Sequence, residues 1–308
     1  MSSIEASFTV GTEVTFENLT ILPLLRQSSS DANYDTLDAA LGGGTLDITE
    51  VSESGSVPEI KVENRGTRPV LIIDGEELVG AKQNRTVNLS ILVPPSSTVV
   101  VPVTCVEAGR WNARSRNFTA APRTHFSTGR AAKSSQINAS LLSEGVARAD
   151  QSQVWQQIAE KSARLEAHSA TGAMADIFES QSSAIEAYVR ELPIADNQVG
   201  AVFLLNGEPT GVDLFDHHKT FILLIPKILR GYALDAIDSR SNQSSVPSTT
   251  QPVMRTRAEQ FLRNVVDAPR TSFDAPGMGE KWRLSTPGIS GGALIVNGDV
   301  VHMSAFRF

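Results

Sequence analysis

VLIIDGEELVGAKQNRTVNLSILVPPSSTVVVPVTCVEAGRW, residues Val70 to Trp111, is the stretch on which the fold of this chain turns. Val70–Ile73 is a continuous apolar run. Asp74-Gly75 follows it, a dipeptide suited to a type I′ turn because both central residues of that turn need positive φ. Glu76–Ala81 then reads as the returning strand. Thr86–Val93 alternates, with Val87, Leu89 and Ile91 on one face. Pro94–Ser97 turns the chain, and Thr98–Val106, rich in β-branched residues, brings it back. The simplest register of these last two strands sets Ile91 against Val99, Leu89 against Val101 and Val87 against Val103. The same face then runs on into Arg85 beside Cys105 and Gln83 beside Glu107. A slip of one residue would turn all of them to the other face. The stretch therefore predicts antiparallel sheet whose apolar face becomes polar at one end.

Outward from it, residues 12–24 (TEVTFENLTILPL) alternate and read as a strand, and 35–42 (DTLDAALG) as a short helix stopped by Gly42-Gly43-Gly44. Leu46–Glu50 and Ile60–Asn64 are further strands. The period changes after Ser152, where Val154, Ile158 and Leu165 recur near helical spacing. A second helix is predicted over Ala173–Glu191. Val199–Leu205 and Thr210–Phe215 flank an Asn206-Gly207 turn, and Asp216 suits the N-cap of a helical run to Ile237, with a kink or break at Pro226. Residues 239–252 (SRSNQSSVPSTTQP) read as an exposed loop, Val253–Val266 as a helix, and Gly292–Val296 with Asp299–Phe306 as a closing hairpin. The predicted class is α+β, with an antiparallel β-sandwich-like N-terminal region followed by helices and further β-hairpins. The expected division is 1–135 and 136–308, as one integrated domain or two tightly packed ones. LIIDGEE (71–77), FLLNGEP (203–209) and LIVNGDV (294–300) share a strand, an Asx-Gly turn and an acid, which is the ordinary appearance of a type I′ hairpin.

With 308 residues, 41% of them hydrophobic and 20% charged, the chain has an ordinary globular composition. A net charge of −7 argues against nucleic-acid binding over the whole surface. Cys105 is the one cysteine, so no intrachain disulfide forms. The first residues lack a secretory apolar core, and the apolar run Phe221–Ile225 is too short to span a bilayer. The expected location is the cytoplasm, away from membranes.

Two polar clusters mark the expected site. Glu76, Glu77 and Glu107 are the expected acid–base groups, or ligands for a divalent cation such as Mg²⁺. Lys82, Gln83, Asn84, Arg85 and Arg110 suit an anion, and Trp111 can stack on a base. The plainer reading of the same residues is a sheet rim of structural ion pairs. Cys105 would need a nearby base to serve as a nucleophile, and a small residue in a strand is more often packing. Residues 110–133 carry six cations and no acid, a composition suited to a phosphate-bearing ligand or a single nucleic-acid strand, or to a basic loop docked on an acidic body. Adjacent His217 and His218 cannot both face one site from a regular element, which weakens GVDLFDHHK as a metal motif. HExxH, paired CxxC, P-loop and GxSxG patterns do not occur.

GEELVGAKQNR (75–85), followed by VTCVEAGRW (103–111), resembles the ARG-and-rhodanese-phosphatase-superfamily-associated protein family over most of the chain. That resemblance implies a role near ADP-ribose or NAD-derived metabolism and brings no assigned catalytic residues. The expected function is binding of a phosphate-containing ligand, a nucleotide or an ADP-ribose derivative, with hydrolysis as a further step. The alternative is a non-catalytic module that docks a partner enzyme. A homodimer is expected only because homodimers are common.

Overall fold

The structure, a computed structural model, describes residues 8–26, 32–52, 54–240, 251–274 and 276–308. Its helices are α1 (Leu37–Gly42), α2 (Ser127–Glu144), α3 (Gln151–Arg164), α4 (Met174–Ser180), α5 (Ser182–Glu191), α6 (His218–Arg240) and α7 (Gln251–Val266). Three sheets accompany them, so the chain is an α+β protein with a sheet-rich N-terminal region.

The N-terminal region is a sandwich of a six-stranded and a three-stranded sheet. The larger runs Phe118–Thr124, Glu76–Gly80, Arg85–Val87, Ser97–Cys105, Glu59–Asn64, Leu46–Glu50. The smaller sets Val70–Ile72 between Ile91–Val93 and Asp35–Thr36. Alternation decides what each strand buries. Leu46, Ile48, Ile60 and Val62 join Val70, Ile72, Val101 and Val103 in one apolar core, closed by Ile137 and Leu141 of α2. In the six-stranded sheet the intervening Asp47, Thr49, Lys61 and Glu63 face outward, whereas Leu71 of the smaller sheet packs toward the second core.

A nine-stranded antiparallel sheet forms the second body. Leu19–Leu25 pairs with Gln198–Leu205, and the sheet continues through Glu208–Phe215, Asp299–Arg307, Ile289–Val296, Glu280–Thr286 and Arg270–Phe273. Both its faces are covered. Leu22, Leu24, Val202 and Val212 pack on α7, while Leu19, Ile21, Ala201 and Phe203 pack toward α3, α5 and α6. Such two-sided burial explains why LTILPLL is apolar at all positions but Thr20, as it does for other fully covered strands. The boundary expected at 135 falls inside α2, and Leu19–Leu25 belongs to the large sheet. Leu71, Ile73 and Leu92 of the N-terminal region share a core with Phe203 and Tyr232.

Several expectations need correction. Thr86–Val93 is not one strand. It breaks at Asn88–Ser90, so Ile91 pairs with Ile72, whereas Val99 and Val101 pair with Val62 and Ile60. Asp74-Gly75 joins no hairpin, because Val70–Ile72 and Glu76–Gly80 lie in different sheets. The dipeptide passes the chain between layers. Gly75 has φ +84, and a Cβ there would meet Arg130 Cδ at 2.9 Å. The other two Asx-Gly turns are true hairpins, with positive φ at Asn206, Gly207, Asn297 and Gly298. Residues 12–24 form two paired strands that turn at Glu17-Asn18. The helix expected over 173–191 splits at Gln181 into α4 and α5. Helix α6 starts at His218 and continues through Pro226, and Asp216 lies outside it, accepting the Tyr34 hydroxyl. Residues 239–240 and 251–252 are helical, and 241–250 lie outside the described residues. The 110–133 segment is no loop beyond 117. Phe118–Thr124 is a strand and Ser127 opens α2, which buries Arg130 and Lys133.

Arg130 is the hub between the two bodies. Its guanidinium meets Asp213 at 2.7 and 3.1 Å and Asp74 at 3.2–3.3 Å. Burial works to raise the Asp74 carboxyl, but Arg130, His302 and the Ser304 hydroxyl outweigh it and hold the group at about 2. A carboxyl depressed in the folded state stabilises the fold above its unfolded value, near 3.8, and that stability is lost as pH falls through about 2. The urea midpoint is therefore expected to drop between pH 4 and 2, by the equivalent of about 2 kcal/mol from this group. Asp74→Asn should flatten that window. An unchanged slope in the variant would reject the assignment.

Candidate functional site: a charged cleft above a braced motif

The two motif strings do lie side by side. Val103 pairs with Val87, Thr104 with Thr86 and Cys105 with Arg85, as the register predicted. The ladder ends there. Beyond it Gln83 turns to Arg85, accepting from Nη1 at 3.0 Å, and Glu107 takes the Asn84 N–H at 3.1 Å.

Side-chain bonds then lock the strings together. Arg110 Nη2 donates to Glu107 at 2.7 Å and to Asn84 Oδ1 at 3.1 Å, and Nη1 donates to the Ala81 carbonyl at 2.6 Å. Thr171 adds a hydroxyl bond to Glu107 at 2.8 Å. Burial works to raise the Glu107 carboxyl, but Arg110, Thr171 and the Asn84 N–H hold it below the usual glutamate range. Glu77 goes the other way. Its Oε2 takes Arg123 Nε at 2.5 Å, its Oε1 is buried without a partner, and burial pushes the carboxyl up despite Arg123. Glu76 is not brought to Glu107. It accepts the Ile73 N–H at 2.9 Å and pairs with Lys227 of α6 at 2.7 Å. Arg123 and Lys227 come from elements that the sequence reading did not connect to these glutamates.

Glu76, Glu77, Gln83, Asn84, Arg85, Glu107 and Arg110 are all buried. Of the nine expected site residues, Lys82 and Trp111 reach solvent. Lys82 Nζ and Arg85 Cζ each lie 5.5 Å from the centre of the Trp111 ring. Cys105 is fully buried, its backbone held at both N–H and C=O by Gln151, and burial pushes its thiol up to about 11. That environment suits packing rather than a nucleophile.

Above this buried layer opens a cleft of about 670 Å³. Its floor is the outward face of the six-stranded sheet, carrying Asp47, Thr49, Lys61 and Glu63, with Thr49 opposite Lys61 and Asp47 opposite Glu63. Arg65, Glu50, Lys82 and Arg116 complete the charged lining, and Ser115 and Asn117 sit on its wall. Arg65 pairs with Asp47 at 2.7 Å. Glu50 Oε1 takes the Lys82 N–H at 3.2 Å and faces Arg85 Nη2 at 3.8 Å. Glu50 Oε2 and two Arg85 nitrogens, Nε and Nη2, are buried without hydrogen-bond partners. Of the expected site residues, Lys82 alone lines the cleft. Alternation in LDITE and IKVEN carried the signal for Asp47, Thr49, Lys61 and Glu63, since each lies next to a buried residue of its strand. Among the described residues no three His, Cys, Asp or Glu side chains converge as a metal site. No helix of the described residues is long and apolar enough to cross a membrane.

An α+β chain with two strings cross-braced by buried ion pairs beneath a charged cleft is the class of protein that emerges. The chain belongs to the family of the ARG and Rhodanese-Phosphatase-superfamily-associated Protein domain, ARPP-1, which matches residues 7–306. No curated protein and no solved structure matches it.

Proposed function

We propose that the cleft binds a phosphate-containing ligand of nucleotide size, with a nucleotide or ADP-ribose derivative as the class. The observation that carries this reading is the cleft lining: Lys61, Arg65, Lys82 and Arg116 around a volume of about 670 Å³. Cavities of several hundred Å³ hold ligands of that size, and guanidinium and ammonium groups are the usual partners of phosphate oxygens. Trp111 flanks Lys82 and offers a ring face to a base. In this proposal Glu76, Glu77, Glu107 and Arg110 hold the frame, and the ligand meets Lys82, Lys61 and Arg116.

Calorimetry with ADP-ribose, ADP and inorganic phosphate tests it, each with and without Mg²⁺. Arg116 is exposed and Lys61 half-exposed, so their replacement should leave thermal stability unchanged. Each of Lys61→Ala and Arg116→Ala is expected to weaken binding by roughly 10-fold, the loss of one charge-assisted contact. No heat with any ligand, or equal affinity in the variants, overturns the proposal.

A second reading, the docking module, is favoured by one observation: the motif carboxylates are already engaged inside the protein. On that reading the Lys61 and Arg116 variants lose affinity for a partner protein while showing no nucleotide heat in the parent chain.

A further inference from the structure

A separate group of charges lies on the α2-facing side of the large sheet. Register builds it in two rows. Arg283, Gly292, Ser304 and Asp213 lie opposite one another across four strands, and Lys281, Leu294, His302 and Phe215 form the next row. Gly292 is required here, because a Cβ would come within 2.3 Å of Arg283 Nη1, which lies across it. Ser90 and Asp74 close the group from the sandwich. Ser90 Oγ lies 2.7 Å from His302 Nδ1, and His302 Nε2 lies 3.3 Å from Asp213. Ser304 donates to Asp74 at 2.9 Å.

The charges do not balance. Asp74 and Asp213 are both held by Arg130. Arg283 makes its bonds to neutral acceptors, Asn138 and Ser134. Lys281 is 2% exposed, and its Nζ has no hydrogen-bond partner. An isolated buried ammonium is costly. Burial alone lowers Lys281 to about 8, and it lowers Arg283 to about 10 against the pull of Asp74. Both side chains line a small pocket with Asp74, Ser90 and Ser304.

We infer that this pocket is a binding site for one monatomic anion, a halide, held by Lys281 and Arg283. The volume sets the size: about 10 Å³ admits a group no larger than about one water. Phosphate is too large for it, which separates this site from the cleft. The Ser90 and Ser304 hydroxyls form the same wall, with Ser304 bonded to Asp74 and Ser90 to His302.

The test follows melting temperature against sodium chloride at constant ionic strength, in the parent chain and in Lys281→Met. The parent should show a saturating rise that follows ligand linkage. Lys281→Met should give a flat response. A crystal soaked in bromide supplies a readout that needs no variant: an anomalous peak beside Lys281 Nζ. A rise with chloride in the parent chain that Lys281→Met lacks supports the site. Equal slopes in the two proteins, or no bromide at Lys281, overturns the inference.

Discussion

Replacing Arg130 with methionine is expected to lower unfolding free energy by about 3–5 kcal/mol, the usual cost of removing one partner from a buried ion pair. The side chain is 2% exposed, yet it serves two carboxylates from two bodies: Asp74 at the sheet crossover and Asp213 in the large sheet. Methionine fills much of the volume but leaves both anions buried. Removing the anions as well, in Arg130→Met/Asp74→Asn/Asp213→Asn, should return part of the loss, because neutral amides are far cheaper to bury than unpaired carboxylates. Urea denaturation of the parent and the two variants measures this. A loss under about 1 kcal/mol in Arg130→Met would show that the carboxylates find other partners and that Arg130 is no hub.

Glu107→Ala is expected to be nearly as severe, at about 3 kcal/mol or more. It strands Arg110, which is 4% exposed, and takes the acceptor from the Asn84 N–H and the Thr171 hydroxyl. Glu107→Gln should lose less, since an amide oxygen can still accept two of those bonds. The pair of substitutions separates a frame-holding glutamate from one that acts on a ligand. A frame role predicts that affinity in the cleft falls in step with stability, and that Gln recovers both. If Gln restores stability fully while ligand turnover stays abolished, the carboxylate acts in chemistry.

Much of this arrangement could be read from the chain. Alternation and β-branched content located Leu46–Glu50, Glu59–Asn64 and Ser97–Cys105, and turn chemistry located the two Asn-Gly hairpins. The pairing of Arg85 with Cys105 followed from register alone. What failed was sheet membership. Nothing in the alternation of TVNLSILV tells that Val87 and Ile91 belong to different layers, because both are simply buried. Asp74-Gly75 has the composition of a hairpin turn, but only Gly75 takes a positive φ and the dipeptide serves as a crossover. Helix α2 was hidden for a related reason. Arg130 and Lys133 made its sequence look like a basic loop, whereas partners distant in sequence, Asp213 and the Thr86 hydroxyl, allow those cations to be buried. The cleft was half-visible. Its outward residues obey the alternation, but Arg116 reaches it from a loop that the strand pattern does not place.

The placement of Leu19–Leu25 bears on how the chain is made. Its ladder partner begins at Gln198, so ~170 residues of synthesis separate the two. At elongation rates of about 5–20 residues per second that is an interval of roughly ten seconds to half a minute. Through that interval LTILPLL leaves the ribosome paired on one edge with Val14–Phe16 and open on the other, and its long-range pairing slows closure of the sheet. Folding of the nascent chain should therefore depend on a holdase. Moving residues 8–26 behind Phe308 in a circular permutant would bring the strand out after its mate and should raise soluble yield without a chaperone.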